Sequence, residues 1–129
     1  MSDLHFPPRE LAVMSVLWRL GSATVADVRE HLDEDLAYTS VLSALQILED
    51  KGYVRHEAEG RAYRYFPTVA ADKAGRSAIT RIKDAIFQGS AERMFAQLVA
   101  DRQLSRDELQ RMRELLAKRL GVDNASDDA

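Results

Sequence analysis

Apolar residues recur along this chain with the period of a helix, then briefly with that of a strand, then with that of a helix again. Leu11, Met14, Leu17 and Trp18 share one face of a segment that follows Pro7-Pro8 and stops at Gly21, which predicts a helix over residues 9–20. Thr24, with Asp27 three positions on, is an N-cap signature for a short helix reaching about Leu32, its apolar side formed by Val25, Val28 and Leu32. After the acidic run Asp33-Glu34-Asp35, the spacing of Val41, Leu42, Leu45 and Leu48 predicts a third helix. It ends at Gly52, with Lys51 favourably placed near its negative end.

The period then changes. Residues 53–60 and 61–67 are rich in aromatic and β-branched side chains, and Glu59-Gly60 between them supplies a turn, so the two segments predict a β-hairpin. From Ala71 the helical period returns. Ile79, Ile82 and Ile86 make one stripe, Gly89-Ser90 marks a break, and Met94, Phe95, Leu98 and Val99 continue the apolar signal. Ser105 with Glu108 predicts a capping box for a last helix carrying Leu109, Met112, Leu116 and Leu120.

Three helices followed by a hairpin is the order of a winged helix-turn-helix. The expected fold is therefore mainly α with a small β-hairpin: a winged-helix domain over residues 1–70, a helical domain over 71–122, and a frayed polar tail over 123–129. About sixty residues in three amphipathic helices build a core of their own only with difficulty, so each apolar stripe needs a partner surface. The expected partner is a second copy of the chain, with Ile79, Ile82, Ile86, Met94, Phe95, Leu98, Val99, Leu109, Met112 and Leu116 at the dimer interface. The plainer alternative is that these helices pack back on the first domain.

The third helix poses the functional question. Thr39, Ser43 and Gln46 line up at i, i+4 and i+7, with Ser40 beside them, where a solvated helix face usually carries Glu, Lys or Arg. Short hydroxyls and an amide suit contact with base edges and phosphates, and carboxylates there would be repelled. Tyr38, Thr39, Ser40 and Ser43 open the helix at the end that points into the groove in helix-turn-helix proteins. Capping and first-turn roles would also explain Thr39 and Ser40, but not Ser43 and Gln46. On the hairpin, Arg61 just past the turn suits phosphate or the minor groove. Arg55 and Arg64 on the two arms are candidates for DNA contact and equally for cross-strand pairing with Glu57 and Glu59. Tyr63 and Tyr65 share a strand face and are expected to pack the wing onto the body.

Charge counts against this reading. The 129 residues carry a formal net charge of −3. Residues 1–70 hold 7 Lys and Arg against 11 Asp and Glu, a net of −4, and residues 71–129 hold 11 against 10, a net of +1. A domain that grips DNA by bulk charge would be basic, so any DNA contact here rests on the placement of a few cations. Hydrophobic content of 46% and charged content of 30% fit a folded protein. No apolar run approaches the roughly 20 residues of a membrane span. MSDLHFPPRE shows no secretory signal, so neither membrane insertion nor secretion is expected. The chain has no cysteine, hence no disulfide or thiolate metal site, and a cytoplasmic location is the default expectation. His5, His31 and His56 lie on different elements without metal-ligand spacing, and no catalytic constellation is visible, so no enzyme activity, metal or cofactor is expected.

The motifs E-L-A-V-M-S-V-L-W (10–18), A-T-V-A-D-V (23–28), A-Y-T-S-V-L-S-A-L (37–45), K-G-Y-V (51–54) and G-R-A-Y-R-Y-F-P (60–67) stand in order. With L-S-R-D-E-L (104–109) they give the chain a resemblance to the BlaI/MecI/CopY family of repressors, the penicillinase repressor type. The resemblance implies a homodimer that binds dyad-symmetric operators of β-lactamase, penicillin-binding-protein or copper-handling genes. It places Tyr38, Thr39, Ser40 and Ser43 in the recognition helix and Arg61 in the wing. Three departures stand out. The cysteine motif of the copper-responsive branch is absent. The Asn-Phe bond cut by a membrane sensor protease in some members aligns with Gln97-Leu98, the position such a protease would meet here. A frequent family Arg is Ile47. Two other readings stay open beside the repressor: a winged-helix module for protein–protein contact, and a regulator with a small-molecule effector.

Overall fold

Pro8 opens the first helix, α1 (Pro8–Leu20), at a position where a missing N–H costs nothing. Gly21, at φ +88°, closes it by donating its amide to Leu17 O at 2.8 Å. The computed structural model describes residues 4–122, so the tail expected over 123–129 lies outside the described residues. A two-residue strand, β1 (Ala23–Thr24), follows and leads directly into α2 (Val25–His31). Thr24 and Asp27 form the predicted reciprocal box: the Thr24 hydroxyl accepts from the Asp27 amide at 3.1 Å, and the Asp27 carboxylate accepts from the Thr24 amide at 3.2 Å. Then come α3 (Tyr38–Asp50), β2 (Val54–Glu59) and β3 (Ala62–Pro67).

The sheet is antiparallel in the order β1-β3-β2. Ala23 faces Tyr65 and Thr24 faces Arg64 across one edge, and Val54↔Pro67 through Glu59↔Ala62 pair across the other. The hairpin loop is therefore Gly60-Arg61, one residue later than the pattern predicts. Only the first of these two residues has positive φ, +61° at Gly60, as in a type II′ turn. Arg61 sits at the tip itself.

The core lies where the three helices meet the sheet. Val13, Met14 and Leu17 of α1, Val28 of α2, and Val41, Leu45 and Leu48 of α3 are fully buried, with Tyr65 of β3 beneath them. Burial of each such side chain is worth about 1.5–3 kcal/mol relative to exposure. The buried face of α1 is rotated from the one predicted: Val13 and Val16 join Met14 and Leu17, and Leu11 remains 46% exposed. Trp18 is half-buried, packs edge-on to Phe6, and donates its Nε1–H to Val69 O at 2.7 Å. Tyr65 packs the wing onto the body as expected, but Tyr63 stays exposed against His56.

Three further helices complete the chain, α4 (Ala71–Ile86), α5 (Ala91–Val99) and α6 (Arg106–Leu120). The first compact unit ends at Arg81 and the second begins at Ile82, so the seam falls inside α4 rather than at residue 70. The early turns of α4 belong to the first unit because Ala74 is buried in its core and Arg81 donates to Leu4 O at 2.7 Å. In the second unit Ser90 and Ser105 cap α5 and α6 through the amides of Arg93 and Glu108. No described residue of that unit is buried.

Candidate nucleic-acid interface

Helix α3 divides sharply into two sides. Val41, Ala44, Leu45 and Leu48 face the core, and Thr39, Ser43, Gln46 and Ile47 are exposed, with Ser40 half-exposed beside them. Among the described residues, the side chains of Thr39, Ser40, Ser43 and Gln46 make no hydrogen bond. The helix is capped by Ala37 without a side-chain bond, and no acid stands in its first turn. Thr39 and Ser40 are thus not caps, and neither a side-chain cap nor an acid of the first turn offsets the positive end of the helix. Tyr38 opens the helix with 46% of its surface exposed.

Charge around this face is sorted by pairing. Lys51 at the end of α3 bonds the Glu10 carboxylate at 2.8 Å. Glu49 accepts from, or pairs with, His56 Nδ1 at 2.7 Å. Arg55 pairs with Glu57 and lies 4.3 Å over the Phe66 ring, its cross-strand neighbour. Arg64 forks onto Glu59, with Nε to Oε1 at 2.7 Å and Nη2 to Oε2 at 3.0 Å, and its Nη1 donates to Ser22 Oγ at 3.2 Å. That hydrogen bonding holds the Glu59 carboxyl below its usual pKa and raises that of Arg64. Burial pushes the Tyr65 hydroxyl up. Arg29 donates to Leu36 O at 2.8 Å and Arg19 to His31 O at 3.5 Å, each bracing a helix end.

Five of the seven cations of residues 1–70 are therefore engaged within the fold, Arg55 and Arg64 among them. Arg9 and Arg61 make no hydrogen bond or ion pair among the described residues. Arg61 projects from the hairpin tip. Arg9, on the first turn of α1, lines a groove of about 270 Å³ together with Thr39, Ser40, Ser43 and Ile47 of α3. The sequence pattern had no means of selecting Arg9, beyond its being a cation at the opening of a helix.

In the second unit the residues of the predicted apolar stripes stand exposed or half-exposed. Ile82, Ile86, Phe95, Leu98, Leu109 and Leu116 are each at least 39% exposed, Met94, Val99 and Met112 are half-buried, and Leu115 and Leu120 extend the set. Ile79, at the end of the first unit, is 53% exposed. Gln97 is exposed beside Leu98 on α5.

The sequence profile of the penicillinase repressor family matches residues 6–118. The chain belongs to that family. Its members are transcriptional repressors rather than enzymes. Over 67 residues the chain is 43% identical to the transcriptional regulator BlaI of Mycobacterium tuberculosis, an alignment covering 50% of this chain and 49% of the relative. It thus spans about half the length of the curated relatives it matches. Among solved structures it is similar to the DNA-binding domain of the repressor BlaI, at 26% identity and a TM-score of 0.49 over 54% of this chain and 88% of that one. It is also similar to the CopR repressor, at 28% identity and a TM-score of 0.42 over 54% of this chain and 96% of that one.

Proposed function

We propose that this chain is a homodimeric transcriptional repressor that reads a dyad-symmetric operator by laying α3 in the major groove. Thr39, Ser40, Ser43 and Gln46 offer hydrogen bonds to base edges and phosphates, and Tyr38 flanks them. Arg61 at the wing tip reaches the backbone or minor groove beside the site. The observation that carries this reading is the polar face of α3, exposed and unbonded, on a helix whose opposite side is fixed in the core. Its short hydroxyls and amide make no hydrogen bond among the described residues, and these groups suit a nucleic acid.

The exposed apolar residues of α5 and α6, with Ile82 and Ile86 of α4, serve the dimer. A second copy covers them and sets two α3 helices one helical turn apart on the duplex. Arg64 and Arg55 shape the wing rather than touch DNA. The genes it controls in this reading are of the β-lactamase or penicillin-binding-protein type and its place of action is the cytoplasm, a reading that membership of the penicillinase repressor family supports. Gln97-Leu98, exposed on α5, is the position a membrane sensor protease would meet. No helix among the described residues is long and apolar enough to cross a membrane.

The test is selection of binding sites from a random duplex pool with the full chain. A dyad-symmetric motif with half-sites about one helical turn apart is the expected result. No enrichment from a preparation that is dimeric in solution would overturn the reading and make α3 a protein-contact surface.

A further inference from the structure

We infer that Arg9, from α1, is a second phosphate contact, seating a DNA backbone phosphate in the groove it forms with α3. The inference rests on the DNA-binding role proposed above. Three observations carry it.

The first is position. Arg9 lines the same groove as Thr39, Ser40 and Ser43, so it shares that surface with the residues proposed to read the duplex. The second is availability. The cations engaged within the fold have carboxylate or carbonyl partners, and Arg9 has none among the described residues. Its neighbour Glu10, which also lines the groove, would otherwise be the obvious partner, but Lys51 holds that carboxylate at 2.8 Å. The pair neutralises the one acid among the lining residues and leaves Arg9 without a carboxylate partner among the described residues. The third is chemistry. Thr39, Ser40 and Ser43, each with a hydroxyl, line the groove with one cation, Arg9, and with the exposed Ile47. A planar guanidinium flanked by hydroxyl donors matches the tetrahedral oxygens of a phosphodiester.

Of the seven cations of residues 1–70, Arg9 and Arg61 are the two left unpaired among the described residues, four per dimer, which reconciles an acidic winged-helix region with backbone binding. Each phosphate neutralised on duplex DNA contributes about −0.9 to the slope of log affinity against log salt. The experiment compares wild type with Arg9→Gln and Arg9→Lys on a duplex selected by the wild-type protein, between 50 and 200 mM salt. Wild type is expected to lose roughly 150-fold in affinity over that range, and Arg9→Gln, with two fewer contacts per dimer, only about 12-fold. Arg9→Lys keeps the wild-type slope, because the charge remains.

A wild type that binds and an Arg9→Gln variant with the same slope and affinity would overturn the role of Arg9 while leaving the DNA-binding role standing. A wild type that enriches no duplex would overturn both. A slope lowered equally in Arg9→Gln and Arg9→Lys would also overturn it, since loss of local structure rather than of charge would then be the cause.

Discussion

The Arg64 guanidinium forks onto the Glu59 carboxylate across the tip of the wing, with bonds of 2.7 and 3.0 Å, and a third bond ties it to Ser22 at 3.2 Å. The fork joins the two hairpin strands, and the Ser22 bond ties them to the turn before α2. Arg64→Gln should therefore loosen the wing. Solvent screens an exposed pair so that it contributes little to stability, and the fall in stability is therefore small. On a selected duplex the salt slope of Arg64→Gln should equal that of wild type, because this cation is spent within the fold. A slope shallower by about 2 per dimer would instead make Arg64 a phosphate contact.

The same pair has a pH signature. Arg64 holds the Glu59 carboxyl below its usual value of 4.5, chiefly through the hydrogen bond. A carboxyl depressed in the folded state stabilises the fold above the unfolded-state pKa and loses that contribution as pH falls through the folded-state value. The stability gap between wild type and Glu59→Gln should be present at pH 7 and close as pH falls below the usual carboxyl value of 4.5 and through the lower folded-state value. Denaturant midpoints at pH 7 and pH 3 measure it. A gap that does not narrow would mean that the pair contributes no proton linkage.

Arg61 occupies the second loop position of the hairpin and has no hydrogen-bond or ion-pair partner among the described residues. Arg61→Ala should leave the melting temperature within about a degree of wild type, as surface changes away from packed features usually do. Its effect should fall on DNA alone: weaker binding to all duplexes alike, with the salt slope reduced by about 2 per dimer. Loss confined to one selected motif would place Arg61 on a base edge instead.

Much of this arrangement was legible in the chain itself. The core face of α3, the Thr24–Asp27 box and the hairpin all follow from local spacing, since each signal lies within one element. What was not legible depends on residues far apart in sequence. Strand β1 is too short to show a period and exists because Ala23 and Thr24 find Tyr65 and Arg64. Arg55 and Arg64 read alike, as DNA contacts or as cross-strand partners, and only Arg61 stood apart at the turn. The two arms are told apart from the tip only once Glu57, Phe66, Glu59 and Ser22 are placed around them. Arg9 became visible only when α1 packed its first turn beside α3. The seam inside α4 likewise depends on Ala74 finding the core, a contact no periodicity within α4 announces.

Ser43 separates base reading from backbone holding. It lies on the exposed side of α3 and has no hydrogen bond among the described residues, and alanine is the better helix former by about 0.5 kcal/mol. Ser43→Ala should thus fold at least as stably as wild type. Site selection repeated with this variant should return an altered base at the position that Ser43 meets in each half-site, with dyad symmetry retained and the salt slope unchanged. An identical motif would remove Ser43 from base reading and leave that task to Thr39, Ser40 and Gln46.

Leu98, 53% exposed on α5, tests the dimer. A charge at the centre of an apolar interface is costly because it must be buried unpaired. Wild type should sediment at twice the 14.5 kDa of the chain, and Leu98→Glu should sediment as a monomer at the same concentration. The monomer has one α3 and one wing, so it should lose preference for a two-half-site duplex over a single half-site. A Leu98→Glu protein that remains dimeric would move the interface away from α5. A wild type that is already monomeric would mean that the exposed residues of α5 and α6 serve a partner other than a second copy.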